Sequence, residues 1–196
     1  MIGTVAERRE ARRASIIATA WAQARSHGIG GLSLHALARA VGIRQPSLYE
    51  YFDSKLALYD AMFADGNRRL LEHLDQVALP SEPRAAVKAF MRAFAAFVVE
   101  DPARAALLFQ RPIPGFEPSA QSYEGAQAVF ARATDVLAAA GVHDQGDVDC
   151  FVAMVAGLIE AQISNDPGGD RWLRHLDRLT DLHLDDIQRR GTCHDR

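Results

Sequence analysis

The chain of 196 residues is long enough to form a hydrophobic core. Its 48% hydrophobic and 24% charged residues are ordinary for a globular protein. No apolar run approaches the roughly 18 residues that a membrane helix needs. The net charge of −3 is unevenly distributed: residues 1–55 carry eight basic and four acidic groups, whereas the remaining residues carry 14 basic and 21 acidic groups. This asymmetry favours a basic N-terminal module that faces a polyanion; the alternative is that the charges cluster by chance. Cys150 and Cys193 lack the spacing of a zinc or disulfide motif, and the start of the chain has no signal-like apolar stretch, so we expect a cytoplasmic protein without either kind of site.

Helices are predicted along the chain, because long stretches lack glycine and proline and no long run alternates apolar and polar residues. The first helix is predicted from about residue 6 to residue 27, with one apolar face. Ser33 is placed to cap a short helix that ends near Val41, and Gly42 then turns the chain. A second short helix is predicted to follow this turn and to end at Phe52.

The rest of the chain is also predicted to be helical, with breaks at proline and glycine clusters. The predicted helices cover about residues 53–77, 84–100, 102–110, 119–140, 144–164 and 169–189. Residues 111–118, RPIPGFEP, are predicted to form a loop. The predicted fold class is therefore all-α.

Two short helices joined by a glycine turn are typical of the helix-turn-helix motif, whose second helix enters the major groove of DNA. On a helical wheel, Leu48 and Phe52 face the core. Pro46 lies in the first turn, where backbone N–H groups have no acceptor within the helix, so a proline there removes no hydrogen bond. Pro46, Ser47 and Glu50 lie on the other side, flanked by Tyr49 and Tyr51, and the outer face is expected to offer the Gln45 amide, the Ser47 hydroxyl and the Pro46 ring. A glutamine amide can bond the edge of adenine, and a proline ring can pack on a thymine methyl group.

The run GLSLHALARAVGIRQPSLYEYFDSK, residues 31–55, resembles the DNA-binding domain of TetR-family transcriptional regulators. The likeness lies in the glycine turn, the three-residue lead into Leu-Tyr, the aromatic-Phe pair and the final Ser-Lys, and it covers about residues 7–60. It implies an N-terminal three-helix helix-turn-helix domain, residues 1–55, and a larger C-terminal helical domain for effector binding and dimerisation, residues 56–196.

The resemblance also implies which side chains meet double-stranded DNA. They are Ser33, His35, Arg44, Gln45, Pro46, Ser47, Tyr49, Tyr51 and Lys55. The residues from Gln45 to Ser47 would sit at the groove, whereas Tyr49, Tyr51 and Lys55 would bond phosphates and set position. Arg44 departs from the serine that is common there in the family, and it would contact a guanine or a phosphate.

Three further features near the motif leave alternatives open. Glu50 carries a charge that is awkward beside DNA, so we expect it to point aside, to pair with an arginine or to bond cytosine N4. The arginines at the start of the first helix suit a solvated helix end as well as a phosphate-binding arm: Arg8, Arg9, Arg12 and Arg13. The apolar residues of the motif are expected in the core: Leu34, Leu37, Val41, Leu48 and Phe52.

Aromatic residues in the C-terminal part suit either a core or an apolar pocket for a small, largely apolar effector. Phe90, Phe94 and Phe97 lie at spacings of four and three, on one face of one helix. The family's layout, in which such helices surround a cavity, favours the pocket. Its expected lining is Phe90, Phe94, Phe97, Phe109, Tyr123, Gln127 and Phe130.

The last two predicted helices favour assembly into a homodimer. Residues 150–164, CFVAMVAGLIEAQIS, are apolar nearly all round, so this helix must be covered on most sides. The final helix also carries an apolar stripe. As the resemblance implies, the helices near 144–164 and 169–189 would form a four-helix interface with a second copy of the chain related by twofold symmetry. The alternative is that both pack only within the monomer.

No glycine-rich phosphate loop, GxSxG or HExxH motif is present, so neither an enzyme nor a metal site nor a cofactor is expected. The hypothesis from the sequence is a ligand-responsive, homodimeric regulator, with repression of a palindromic operator as its expected action. An activator or a ligand-independent regulator of the same fold is the first alternative. A helical protein that binds small molecules without binding DNA is the second.

Overall fold

The computed structural model describes residues 4–194, with side chains up to Gly191, so the expectation for Cys193 lies outside the described side chains. The helices are α1 (Val5–His27), α2 (Leu34–Ala40), α3 (Gln45–Leu48), α4 (Lys55–Asp75), α5 (Pro83–Glu100), α6 (Pro102–Phe109), α7 (Ala120–Ala139), α8 (Gln145–Asn165) and α9 (Leu176–His194), with short 3-10 turns at Ile29–Gly31 and Leu173–His175. Across residues 4–194 the chain forms no strand, and the predicted all-α fold class is confirmed. In the same residues, no helix combines the length and the apolarity needed to cross a bilayer.

The second short helix is shorter than predicted. α3 ends at Leu48 rather than at Phe52, because the amides of the following turn bond to carbonyls three residues back as well as four. The N–H of Tyr49 donates to the carbonyl of Pro46 (3.1 Å), and the N–H of Tyr51 donates to that of Leu48 (3.0 Å). Bonds of this kind tighten a helix end into a 3-10 turn.

The prediction for the last helix is wrong at its start, since α9 begins at Leu176 rather than near residue 169. Gln162 of α8 is 1% exposed, and its Oε1 accepts the amides of Trp172 (2.9 Å) and Leu173 (3.3 Å). Gly168, with φ of 79°, lies in the preceding loop. Because a side chain of α8 holds these amides, the chain stays out of a regular α-helix until Leu176.

The chain divides into two compact units. Unit 1 comprises the residues up to Arg68 together with Asp101–Ala126, and unit 2 comprises Arg69–Glu100 together with the residues from Gln127 onward. The separation into a DNA-binding part (1–55) and an effector part (56–196) is a functional division, and it stays a prediction.

Unit 1 has a core built from α1, the helix-turn-helix and the first half of α4. Its largest fully buried side chains include Ile16, Trp21, Leu37, Leu58 and Met62. The core prediction for Leu37, Leu48 and Phe52 is confirmed, since none of the three is more than 6% exposed. Leu34 and Val41 are half-buried and pack against this core rather than inside it.

Unit 2 packs α5, the greater part of α7, α8 and α9 around a second core. Its fully buried side chains include Val87, Phe90, Leu137, Phe151 and Leu176. Ion pairs join α5 to α9 beside this core: Lys88 lies 2.7 Å from Asp181, and Arg92 bonds to Asp177. The pKa of the Asp181 carboxyl is lowered, chiefly because the Lys88 ammonium donates a hydrogen bond to it.

Candidate nucleic-acid interface

The start of α2 is both capped and tied to α1. The hydroxyl of Ser33 accepts the amide of Ala36 (3.4 Å), and the N–H of Ser33 donates to Oε1 of Gln23 on α1 (2.7 Å). After α2, Gly42 has φ of 72°, a left-handed conformation that glycine adopts without a steric penalty. These two residues set where the bracing helix begins and how sharply the chain turns into α3.

One buried anchor holds α3 while several of its neighbours face outward. Leu48 is 2% exposed, whereas Pro46 and Arg44 are exposed and Tyr49 is 46% exposed. Arg44 occupies the N-cap position of α3, and within the described residues its side chain makes no capping hydrogen bond. The guanidinium of Arg44 is therefore not used to stabilise the helix start.

The remaining predicted DNA contacts differ in exposure. Ser33 and His35 are exposed at the first turn of α2, while Gln45, Ser47, Tyr51 and Lys55 are half-buried. The contact roles of all nine residues stay predictions. What the structure adds is that Gln45, Pro46 and Ser47 lie in a single turn of helix, next to the exposed ring of Tyr49.

Lys55 lies at the capped start of α4, beside the ring of Tyr59. Its Nζ lies 5.6 Å from the ring centroid of Tyr59, and the hydroxyl of Ser54 accepts the amide of Ala57 at the helix start (3.0 Å). Tyr59 is 1% exposed and donates its phenol to the carbonyl of Ile29 (2.8 Å). Burial raises the pKa of the Tyr59 phenol above its usual value, so this donor stays protonated at neutral pH.

Three arginines of α1 contact the helix-turn-helix directly. The guanidinium of Arg9 donates to the carbonyl of Glu50 (2.9 Å), and that of Arg12 donates to the carbonyl of Val41 (3.2 Å). Arg13 lies over the ring of Phe52, with 5.2 Å between its guanidinium carbon and the ring centroid. Sequence reasoning missed these contacts, although the spacing of the arginines continues the buried stripe of α1 that starts at residue 16.

The predicted ligand-binding residues are distributed over both units. Phe90 and Phe97 are buried in the core of unit 2, at 1% and 7% exposure, and Phe94 is half-buried in the same unit. The exposed members are Gln127 and Phe130 in unit 2 and Phe109 and Tyr123 in unit 1. The pocket that all seven would line stays a prediction.

Within unit 1, Tyr123 belongs to an aromatic cluster between α4 and α7. Its ring stacks on Phe63 of α4, with centroids 6.5 Å apart and planes 9° from parallel. Phe116 belongs to the same cluster: its ring centroid lies 6.0 Å from that of Tyr59 and 6.4 Å from that of Phe63. Tyr123 is half-exposed, whereas Phe63 is 4% exposed. The outermost ring of the cluster thus rests directly on a core residue of α4.

A group of hydrogen bonds fixes the start of α7 to α4 beside this cluster. The carboxylate of Asp60 accepts the amide and the hydroxyl of Ser119 and the hydroxyl of Ser122, each at 2.8 Å. A carboxylate at a helix N-terminus is favoured by the helix dipole, and it satisfies donors that the helix cannot. α4 and α7 are thereby joined through defined polar contacts as well as through rings.

α8 presents one apolar face that the described residues leave exposed. Its buried side carries Phe151, Val155 and Ile159, and the opposite side carries small or apolar residues. The exposed residues there are Val152, Ala153, Met154, Ala156 and Gly157. On α9, Leu182 is 60% exposed. These are the two helices that the sequence predicts to form a dimer interface.

Asp144 caps the start of α8, and Asp147 in its first turn pairs with α9. The side chain of Asp144 accepts the amide of Asp147 (3.2 Å) at the N-cap position. Asp147 also accepts a hydrogen bond from Arg190 of α9 (2.6 Å). Within the described residues, no three His, Cys, Asp or Glu side chains are grouped so as to hold a metal ion.

The helix-turn-helix region matches a known protein-family model. Residues 16–62, which include α2, the glycine turn and α3, match the family model of the tetR family of bacterial regulatory proteins. The likeness to the TetR family is thus located in residues 16–62. The HTH-type transcriptional regulator Rv1816 of Mycobacterium tuberculosis (strain ATCC 25618 / H37Rv) is 33% identical over 118 residues, or 57% of this chain and 50% of Rv1816. The chain thus spans about half the length of the curated relatives it matches.

Solved structures resemble most of the chain in fold. The regulatory protein SCO4313 has a TM-score of 0.71 at 23% identity, over 94% of this chain and 98% of its own. The TetR-family transcriptional regulator PfmR from Thermus thermophilus has a TM-score of 0.62 at 18% identity, over 89% and 97% of the two chains. At these identities the likeness shows a common fold. The TetR family and the curated relative are transcriptional regulators and not enzymes.

Proposed function

We propose that the chain is a DNA-binding transcriptional regulator that represses a palindromic operator and leaves it when a small effector binds. The observation that carries this proposal is the helix-turn-helix of residues 33–52, which lies inside the family match and has Pro46 of α3 and the flanking Arg44 and Tyr49 exposed. A regulator of this kind meets the chromosome in the cytoplasm, so that location is part of the proposal.

Reading of the DNA is assigned to α3 and its flanks. Gln45, Pro46 and Ser47 would meet base edges in the major groove, and Arg44 would contact a guanine or a phosphate beside them. Phosphate contacts would come from Ser33, Tyr49, Tyr51 and Lys55, whereas His35 would reach a base. The burial of Leu48 supports this assignment, because it turns the opposite side of α3, with Pro46, outward.

A homodimer is needed because one turn of helix reads too few bases for a specific site. Twofold symmetry would place two copies of α3 in successive major grooves, about 34–36 Å apart, and would explain a palindromic operator. The exposed faces of α8 and α9, with Met154, Gly157 and Leu182, support an interface built from these helices.

Effector binding would act on α4. In unit 1, a small apolar ligand that displaces the half-exposed ring of Tyr123 would disturb its stacking partner Phe63, which lies on α4. α4 begins at Lys55, one of the proposed phosphate contacts. A shift of α4 would therefore alter the spacing of the two reading helices and move the dimer between DNA-competent and incompetent states. The remaining proposed lining is Phe90, Phe94, Phe97, Phe109, Gln127 and Phe130.

A mobility-shift assay with the DNA upstream of the protein's own gene tests the proposal. We expect a retarded band that a scrambled duplex of equal length and composition does not compete away, and whose affinity falls steeply with salt. A protein that binds no duplex in a sequence-specific, salt-dependent manner would be a helical small-molecule binder instead. Retention of the complex with every tested apolar ligand, together with increased transcription, would indicate an activator.

A further inference from the structure

The N-terminal end of α1 carries an arginine stripe, defined as Arg9, Arg12 and Arg13. These positions lie at steps of three and four from the buried residues Ile16 and Ile17, so they continue the core-facing side of α1. Arg8 lies on the same turn, about 100° from Arg9 and about 40° from Arg12 around the helix, and it is exposed. The apolar stripe that packs α1 into unit 1 thus changes to basic residues where it reaches the helix-turn-helix.

The two hydrogen bonds of the arginine stripe are accepted by carbonyls at the C-terminal end of α2 and in the turn that follows α3. The carbonyl of Val41, at the C-cap of α2, accepts from Arg12 (3.2 Å), and the carbonyl of Glu50, in the turn after α3, accepts from Arg9 (2.9 Å). The last carbonyls of a helix have no intrahelical donor, and a cation there also offsets the negative end of the helix dipole. Arg12 therefore caps α2 from another helix, and Arg9 holds the turn after α3 in the same way.

The need for such a cap is greatest at α3. Residues 45–48 make a single turn, which is too short to be stable without outside contacts. Leu48 holds its inner side, and the amides of the following turn bond back to the carbonyls of residues 46 and 48. A charge-assisted bond from Arg9 to the carbonyl of Glu50 fixes the exit of that turn, and with it the direction in which Gln45 to Ser47 point.

We propose that Arg9 and Arg12 are positioning residues, which set the orientation of the reading helix by capping α2 and the α3 turn from α1 rather than by bonding DNA phosphates. This inference rests on the proposed function as far as DNA reading is concerned. It assigns to the basic N-terminal segment a role inside the protein, and it makes the start of α1 a determinant of specificity.

The test compares Arg9→Gln and Arg12→Gln with Arg8→Gln as the matched control, because all three variants lose one positive charge on the same stretch of α1. Hydrogen exchange of the free protein reports on the capping. In Arg9→Gln we expect the amides of Tyr51 and Phe52, which bond to Leu48, to exchange about tenfold faster. In Arg12→Gln the same is expected of Gly42 and Ile43, and Arg8→Gln should resemble the wild type.

DNA binding is then measured on a duplex that the wild-type protein selects from a randomised library, as a function of salt. We expect Arg9→Gln and Arg12→Gln to bind about tenfold more weakly with an unchanged slope of log K against log salt, because no phosphate contact is lost. A slope that falls by about one per arginine, without faster exchange, would make these residues phosphate contacts and overturn the proposal.

Two other results would also overturn it: exchange and affinity that both match those of Arg8→Gln, or faster exchange with no change in affinity. If the wild-type protein selects no duplex at all, the proposed function fails. The exchange experiment then still decides by itself whether the arginine stripe caps the two helices.

Discussion

Trp21 of α1 donates its indole N–H to the carboxylate of Asp65 on α4, over 2.9 Å. Trp21 is 1% exposed, and the carboxylate also accepts from Arg68 (2.7 Å). The bond joins the first helix to the helix that begins at the proposed phosphate contact Lys55. It is a polar contact between two helices of unit 1 at the edge of its core.

The Trp21–Asp65 bond leads to a prediction about stability. Trp21→Phe keeps an aromatic ring but removes the donor to a charged acceptor, so we expect a loss of about 1.5–3 kcal/mol in the free energy of unfolding. Trp172→Phe is the control, because within the described residues the indole nitrogen of Trp172 is buried without a hydrogen-bond partner. Urea denaturation followed by circular dichroism measures both. Equal losses in the two variants would show that the hydrogen bond contributes nothing.

A second prediction concerns pH and His183 of α9. The imidazole stacks on Phe151 of α8 (5.2 Å between centroids), and its burial holds its pKa below the usual value, although Asp147 partly opposes the shift. The unfolded chain therefore binds the proton more readily than the folded one. This makes stability complete above about pH 6.5 and progressively lower as the pH falls from there towards the folded-state pKa.

The measurement is the urea midpoint between about pH 7 and pH 5, the window on either side of the usual histidine pKa. The wild type should lose stability over this window, and His183→Gln should lose less of it, whereas His175→Gln, which alters an exposed histidine, should behave like the wild type. The lowered pKa values of Asp177 and Asp181 affect stability only at more acidic pH, because their usual value is 3.8. A wild-type midpoint that stays flat across the window would contradict the account of His183.

The dimer proposal predicts the effect of a substitution on the exposed side of α8. A Cβ atom added at Gly157 meets open space within the chain, so Gly157→Glu should fold as the wild type does. If two copies pack through this face, the new carboxylate is buried against the partner and the dimer dissociates. Sedimentation equilibrium at micromolar concentration should give a dimer for the wild type and a monomer for Gly157→Glu.

Ala131→Glu provides the control for Gly157→Glu, because it introduces the same charge at an exposed position of α7 in the same unit. It should remain dimeric. A wild type that sediments as a monomer, or a Gly157→Glu variant that stays dimeric, would remove α8 from the interface.

Apart from the end of α3, the helices around the helix-turn-helix were predicted well because their signals are local. Caps such as Ser33, the turn at Gly42 and the three- and four-residue spacing of apolar side chains all act within a few residues. The buried positions Leu37 and Leu48 follow from the same periodicity.

What the sequence did not predict depends on contacts between distant residues. The start of α9 is set by Gln162, ten residues before the amide of Trp172 that it binds. The bond from Arg9 reaches a carbonyl 41 residues away. Aromatic periodicity likewise cannot separate a core from a pocket lining: Phe90 and Phe97 are buried, whereas Tyr123 is half-exposed on Phe63.

The central claim is that α3 reads bases while its flanks hold phosphates. Base preference at every operator position, measured with Gln45→Ala, Tyr49→Phe and Lys55→Ala on a randomised duplex library, tests it most directly. We expect Gln45→Ala to relax the preference at one position of each half-site, at a cost of about 1–3 kcal/mol for the preferred base. Tyr49→Phe and Lys55→Ala should weaken binding to all sequences alike. An unchanged preference profile in Gln45→Ala would contradict the assignment of α3 as the reading helix.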